Sequence, residues 1–166
     1  MKWLVSQDEF EQLISVVREL YPEASLQTIK QINYYYDSDS LMLFKQGITL
    51  RVRVIEGKIA LERKENLTCV GGVRTAKEMN RELDELPESV DGYELLGILQ
   101  TTRTRFTLPD DTNIDFDISR YLGIADYEVE IEIGKAIPRA LITKLPKCGA
   151  IGKYERFINQ LRGGVQ

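Results

Sequence analysis

The sequence predicts an α+β domain of about eight antiparallel strands with flanking helices, and three observations carry this. Short runs alternate apolar and charged residues: in the stretch from Gly47 to Val54, Arg51 and Arg53 point to one face and Leu50, Val52 and Val54 to the other. Most runs are separated by only a few turn-forming residues, as antiparallel neighbours require. Helical spacing is confined to segments near the start, middle and end. With one charged and one apolar face per strand, two architectures are open. An open sheet would bury its apolar face on helices and wet the charged one. A closed barrel would hold the charges inside and carry helices on its apolar exterior. A charged interior is tolerable only when cations and carboxylates are matched by ligand, metal and water. Because cationic and acidic strands both occur, electrostatics favours the barrel.

A chain of 166 residues is most simply one domain, spanning 1–166. The formal net charge of -4 argues against a general nucleic-acid coat, yet leaves room for a focused basic cleft. The absence of histidine removes His-based general bases, His-containing zinc sites and Ser-His triads together. Cys69 and Cys148 are far apart without CxxC spacing, which reads as two reduced thiols of a cytoplasmic protein. The first residues have no apolar signal core, and no apolar run approaches the roughly 20 residues that span a bilayer. A membrane role is therefore not expected.

In chain order, Lys2-Trp3-Leu4-Val5 is a short strand, and Ser6 with Glu9 forms an S-x-x-E capping box that opens a helix. Phe10, Leu13, Ile14 and Val17 fall at helical spacing, and Pro22 stops the element. A second helical patch is predicted over residues 24–30, ahead of an aromatic strand over 31–36 in which Tyr34, Tyr35 and Tyr36 pack. Asp37 to Ser40 is turn chemistry, and residues 41–45 make a short helix stopped by Gly47. The arginine strand turns at Glu56-Gly57 into residues 58–64, a hairpin that places Arg51, Arg53 and Lys64 on one face. Gly71-Gly72 and weak periodicity predict a mobile loop over 66–76. A polar strand over 77–84 follows, then a helix over 87–99 with Tyr93, Leu96 and Leu99 buried. Strands are predicted over 101–108, 113–118 and 127–133. Pro138 starts a helix that ends before Pro146, and Gly149 and Gly152 lead into a last helix with Tyr154, Phe157, Ile158 and Leu161 as its apolar stripe.

The charged faces suggest one chemistry. Arg51, Arg53, Lys64 (or Arg63), Arg81, Arg103 and Arg105 could surround a polyanion, because guanidinium forks match phosphate oxygens. Asp117, Glu128 and Glu130 are hard oxygen donors suited to Mg²⁺ or Mn²⁺, the partners of a bound triphosphate. Asp115 is left to a turn cap or to solvent, and Arg105 and Arg156 to the surface or to pairing with carboxylates. Lys153 after Gly152 lacks the spacing of a phosphate loop, and Tyr154 stands where that loop has a hydroxyl residue.

The series from Gln31 to Ser38, then Leu43 to Arg53 and Leu61 to Lys64, resembles the CYTH domain of the triphosphate tunnel metalloenzymes. Thr101-Thr102-Arg103, the stretch from Asp117 through Leu122-Gly123 to Glu130, and Lys153-Tyr154-Glu155-Arg156-Phe157 extend the likeness over nearly the whole chain. The resemblance implies a closed eight-stranded antiparallel tunnel with a charged interior. It implies Mg²⁺- or Mn²⁺-dependent chemistry on tripolyphosphate, a nucleoside triphosphate or thiamine triphosphate, in a monomer or homodimer. Carried over by position, Arg51, Arg53, Lys64, Arg103 and Lys153 hold phosphates, with Arg81 and Arg105 beside them. Asp117, Glu128 and Glu130 hold metal, with Glu82 on a less uniform strand and Glu132 as an optional further carboxylate. Inorganic triphosphate is the expected substrate, because no base-recognition motif stands out.

The family's N-terminal strand reads E-x-E-x-K. Lys2 fits its lysine and joins Glu128 and Glu130 as the candidate catalytic set, but the positions of both glutamates precede Met1. If the natural chain begins earlier, an enzyme is expected. If the glutamates are absent, a triphosphate- or polyphosphate-binding module with little turnover is expected. A cyclase acting on ATP, with a ribose hydroxyl replacing water, is the remaining alternative.

Overall fold

The structure, a computed structural model, describes residues 1–70, 73–146 and 150–163, without the side chains of 67–70 and 73–75. Gly71-Gly72, Cys148 and Gly149, and the side chain of Cys69, lie outside that description, so the readings placed on them are not addressed. The elements are β1 (Lys2–Val5), α1 (Gln7–Leu20), β2 (Ser25–Asp37), α2 (Met42–Lys45), β3 (Ile48–Ile55), β4 (Lys58–Val70) and β5 (Val73–Leu83). They continue with β6 (Ser89–Val90), β7 (Tyr93–Thr107), β8 (Asn113–Tyr121), β9 (Ile124–Glu132), α3 (Arg139–Ile142) and α4 (Lys153–Gly163).

One antiparallel sheet runs in the order β1-β9-β8-β7-β2-β3-β4-β5, with β6 paired only to β7. Among the described residues β1 and β5 are not hydrogen-bonded to each other, so the structure shows an antiparallel sheet with flanking helices whose hydrogen bonding does not close it into the expected barrel. β1 pairs along its four residues with β9 and then yields at once to the Ser6 cap.

Three further expectations give way to pairing. Residues 24–30 belong to the first half of β2, where every position from Ser25 to Lys30 faces a residue of β7, and this ladder overrides the weak helical spacing. Residues 87–99 form β6 and the start of β7 about a tight turn at Asp91-Gly92, both at positive φ (50° and 82°). That Asp-Gly turn outweighs the three-residue spacing of Tyr93, Leu96 and Leu99. Of the stretch 66–76, expected as a loop, the described residues 66–70 and 73–76 carry the paired ends of β4 and β5.

The remaining elements follow from local chemistry. Ser6 Oγ accepts from Glu9 N, and Ser6 N donates to Glu9 Oε2 at 2.7 Å, which closes the capping box. Asp37 accepts from the Ser38, Leu43 and Phe44 amides and so anchors α2. Glu56-Gly57 and Leu122-Gly123 take positive φ in tight hairpin turns.

Three apolar clusters hold the molecule. Under α1 and α3, Val17 and Leu141 meet Phe116, Val129 and Ile131 from the apolar face of β8 and β9. Under α2, Leu43 meets Leu50, Val52 and Val90. The third lies on the charged face itself, where α4 sets Tyr154, Phe157 and Ile158 against Tyr35, Leu99 and Tyr121. Full burial of a Val, Ile or Phe side chain stabilises by about 1.5–3 kcal/mol. The α4 cluster therefore fixes the helix that carries Lys153 into the charged region.

Candidate functional site

Residues directly opposite in an antiparallel ladder share a face, and the register follows one charged face across the whole sheet. Lys2 lies opposite Glu130; Glu130 and Glu128 lie opposite Asp115 and Asp117; these lie opposite Arg105 and Arg103. Arg103 and Arg105 lie opposite Ile29 and Gln27 of β2, and Asn33 and Tyr35 of that strand lie opposite Arg53 and Arg51. Arg51 lies opposite Glu62, and Thr49 opposite Lys64. The face thus has an acidic arm on β8 and β9 and a basic arm on β3 and β4, with β7 contributing Arg103 and Arg105.

The acidic arm is a dense network. Arg103 donates from Nε to Asp117 Oδ1 and from Nη2 to Asp117 Oδ2, both at 2.8 Å, and its Nη1 lies 2.7 Å from Asp115 Oδ2. Arg105 grips Asp115 with two bonds of 2.7 Å. Lys153, the first residue of α4, donates to Asp117 Oδ2 at 2.8 Å and to Glu128 Oε1. Arg156, one turn on, lies 3.0 Å from Glu128 Oε2 and donates to Asp126 at 2.8 Å. Lys2 Nζ lies 3.1 Å from Glu130 Oε1. Asp115, Asp117 and Glu128 are fully buried. Buried charges of this kind persist only when paired.

Protonation follows this pairing. Burial raises the Asp117 and Glu128 carboxyls, but Arg103 and Lys153 outweigh it at Asp117, and Lys153, Lys2 and Arg156 at Glu128. Both are held below the ordinary carboxylate range. Burial disfavours the Lys153 ammonium, yet Asp117 and Glu128 raise it above the ordinary lysine value. On the basic arm, burial and the neighbouring Arg51 charge bring Arg53 down to about 10.

The structure joins Lys2, Arg103, Lys153, Asp117, Glu128 and Glu130 in one network of ion pairs, and Arg105 enters it through Asp115, which it shares with Arg103. Arg51 and Arg53 form a second centre around Glu62. Lys64, not Arg63, is on the charged face, where it pairs with Glu78 at 2.8 Å; Arg63 lies opposite Leu50 on the apolar side. Arg81 must be corrected. Its register opposite Leu61 places it on the other face of β5, beside Leu61 and Leu83, because a one-residue step along a strand reverses the side chain. Glu82 is on the charged face opposite Ala60 but joins no acidic cluster among the described residues. Glu132 groups with Asp115 and Glu130 rather than with Asp117.

Asp115, expected at a turn cap or in solvent, is a fully buried partner of two arginines. Arg105 and Arg156 take the carboxylate-pairing role of the two open to them. Sequence reasoning missed Glu62, although it alternates in step with Lys64 on the same strand. Tyr35 packs as expected, 4.7 Å from the Tyr154 ring, but its buried hydroxyl lies beside Arg51 without a well-formed hydrogen bond.

The donor set fits a hard divalent cation. One oxygen each from Asp117, Glu128 and Glu130 can be chosen so that all lie within 4.8 Å of one another, and the buried Oε2 of Glu128 makes no well-formed hydrogen bond, meeting only the Arg156 guanidinium at 3.0 Å. A face that joins such a set to guanidinium forks can hold a metal and a polyanion together.

Known proteins resemble this chain in sequence or in fold. YjbK of Bacillus subtilis (strain 168), provisionally named a triphosphatase, is 30% identical over an alignment of 118 residues covering 61% of each chain. The match thus spans about three fifths of that relative's length. A crystal structure of a provisionally named adenylate cyclase from Bacillus halodurans superposes with a TM-score of 0.67 at 25% identity, over 95% of both chains. The Hippeastrum protein HpAC1, a provisionally named adenylyl cyclase reported to have a dominant triphosphatase activity, shares the fold with a TM-score of 0.71 at 18% identity, over 95% of this chain and 93% of its own. The CYTH domain matches residues 1–137, which include every strand of the sheet and all the charged positions above except those on α4. With more than half of its length matched by this domain, the chain belongs to the CYTH domain family.

Proposed function

We propose that this protein is a metal-dependent triphosphatase whose preferred substrate is inorganic tripolyphosphate. One observation carries the reading: a single sheet face joins the carboxylate cluster Asp117, Glu128 and Glu130 to the cations Arg103 and Lys153, with the Arg51–Arg53 pair on the same face. The triphosphatase names of YjbK and HpAC1 support it. The absence of a base-recognition motif favours the inorganic substrate over nucleoside or thiamine triphosphate. The proposed setting is the cytoplasm; no described helix is long and apolar enough to cross a membrane.

In this mechanism Asp117, Glu128 and Glu130 hold Mg²⁺ or Mn²⁺, which when bound neutralises phosphate charge and polarises the bond to be broken. Arg51, Arg53, Arg103 and Arg105 orient the phosphates and stabilise charge developing on their oxygens. Lys64 extends the basic arm. Water attacks the terminal phosphorus and loses its proton to solvent, the anhydride P–O bond breaks to leave orthophosphate and diphosphate, and Lys2 holds the Glu130 carboxylate in place. Lys2 is thus a positioning residue for Glu130.

Phosphate release from tripolyphosphate with Mg²⁺ or Mn²⁺, abolished in Glu130→Ala, is the expected result. Tripolyphosphate binding without release would replace hydrolysis by a binding role. The cyclase name of the Bacillus halodurans neighbour makes cyclic AMP production from ATP the second product to assay.

A further inference from the structure

The β3–β4 register sets Glu62 directly across from Arg51 on the charged face. Its Oε2 accepts from Arg51 Nε at 2.8 Å and lies 2.7 Å from Nη2, while its Oε1 lies 3.3 Å from Arg53 Nη1. Asn33 Oδ1 takes the Arg53 Nε–H at 3.0 Å. The edge of the Arg51 fork best shaped for a phosphate is therefore filled by this chain's own carboxylate. Glu62 belongs to neither acidic cluster, and its ion-pair partners among the described residues are these two arginines. Two guanidiniums two residues apart on one strand face repel each other; Glu62 offsets that repulsion and keeps Arg53 from falling further.

We propose that Glu62 is an internal competitor for the phosphate-binding arginine pair, a tethered anion that an incoming phosphate must displace and that returns when product leaves. The proposal rests on the phosphate reading above. Displacing a carboxylate from a guanidinium fork exchanges one charge-assisted pair for another, so a ligand gains only what it adds beyond the lost pair. Orthophosphate, engaging the pair alone, gains little. A triphosphate gains more, because its further phosphates also meet Arg103, whose charge is felt at Arg53. Glu62 thus lowers the affinity for every anion by a similar factor, which leaves the product weakly held while a longer anion, with its added contacts, still binds.

Glu62→Gln keeps the size of the side chain and an oxygen that can accept from Arg51, and removes the charge together with the oxygen that faces Arg53. Calorimetry without metal, titrating tripolyphosphate and orthophosphate in turn, should show both binding about tenfold more tightly in Glu62→Gln at low ionic strength. That gain should shrink as salt is added, which a packing effect would not do. Glu62→Asp, which retains the charge, should stay within about threefold of the natural protein by the same arithmetic. Arg51→Ala/Arg53→Ala separates the two readings. If it abolishes tripolyphosphate binding while Glu62→Gln binds no more tightly than the natural protein, the competitor role alone is overturned. If it binds tripolyphosphate normally, the phosphate reading fails and the proposal with it.

Discussion

Lys153 donates to Glu128 across the junction of two elements, joining the first residue of α4 to the middle of β9. The same ammonium reaches Asp117 at 2.8 Å, so it lies between two of the three carboxylates that form the candidate metal cluster. The lysine acts as a tether for the C-terminal helix and sets a positive charge between two of the carboxylates proposed to hold a metal.

Lys153→Met should separate these roles. Removing one partner of a buried charge network costs about 3–5 kcal/mol. Arg103 and Arg156 remain beside Asp117 and Glu128, so the lower end of that range is expected in urea denaturation. In the same variant, Mn²⁺ should bind more tightly in the absence of phosphate, read by calorimetry. Unchanged stability together with unchanged Mn²⁺ affinity would contradict the tether and the competition alike.

The pH dependence of stability follows from the same groups. Asp117 and Glu128 have folded values below their ordinary ones, so they contribute stability above their unfolded values near 4 that is lost as pH falls through the lower folded values. Lys153 has a raised folded value, so its contribution is complete below its unfolded value near 10.4 and is lost only as pH rises beyond that. Melting temperature should therefore be nearly level between about pH 5 and 10 as far as these groups decide it, and fall in acid. Asp117→Asn should lower the plateau and flatten the acid limb. An acid limb of equal steepness in the variant would remove Asp117 from the linkage.

The site was more legible in the sequence than the fold around it. Alternation with a period of two was enough to put Arg51 with Arg53, Asp115 with Asp117, and Glu128 with Glu130 on a shared face of their own strands, because strand geometry turns spacing directly into direction, whereas the choice of Lys64 over Arg63 is made by the β3–β4 register. Arg81 failed on the same rule: without the β4–β5 register, the odd and even positions of β5 could not be assigned to faces. Glu62 and Asp115 were hidden because their importance lies in which arginine stands opposite, a property of register and not of composition. The missed strands share a cause as well. Residues 24–30 and 87–99 have little alternation of their own, and their long-range partners on β7 and β2 supply the ladder that local spacing cannot show.

Gly97 tests how firmly α4 is seated on the charged face. It stands opposite Tyr35 at the irregular pairing beside Tyr36, and a Cβ built there would lie 2.9 Å from the Phe157 ring. Phe157 is fully buried against Tyr35 at a ring separation of 5.1 Å, so the ring has little room to retreat. Gly97→Ala should therefore displace α4 and destabilise the protein by about 1–3 kcal/mol, the usual cost of overpacking. Because α4 carries Lys153, the displacement should also expose the Lys153–Glu128 pair and speed exchange of the α4 amides. Amide hydrogen exchange reads this directly, and protection of α4 equal to that of the natural protein would show that the helix is held without the Phe157 contact.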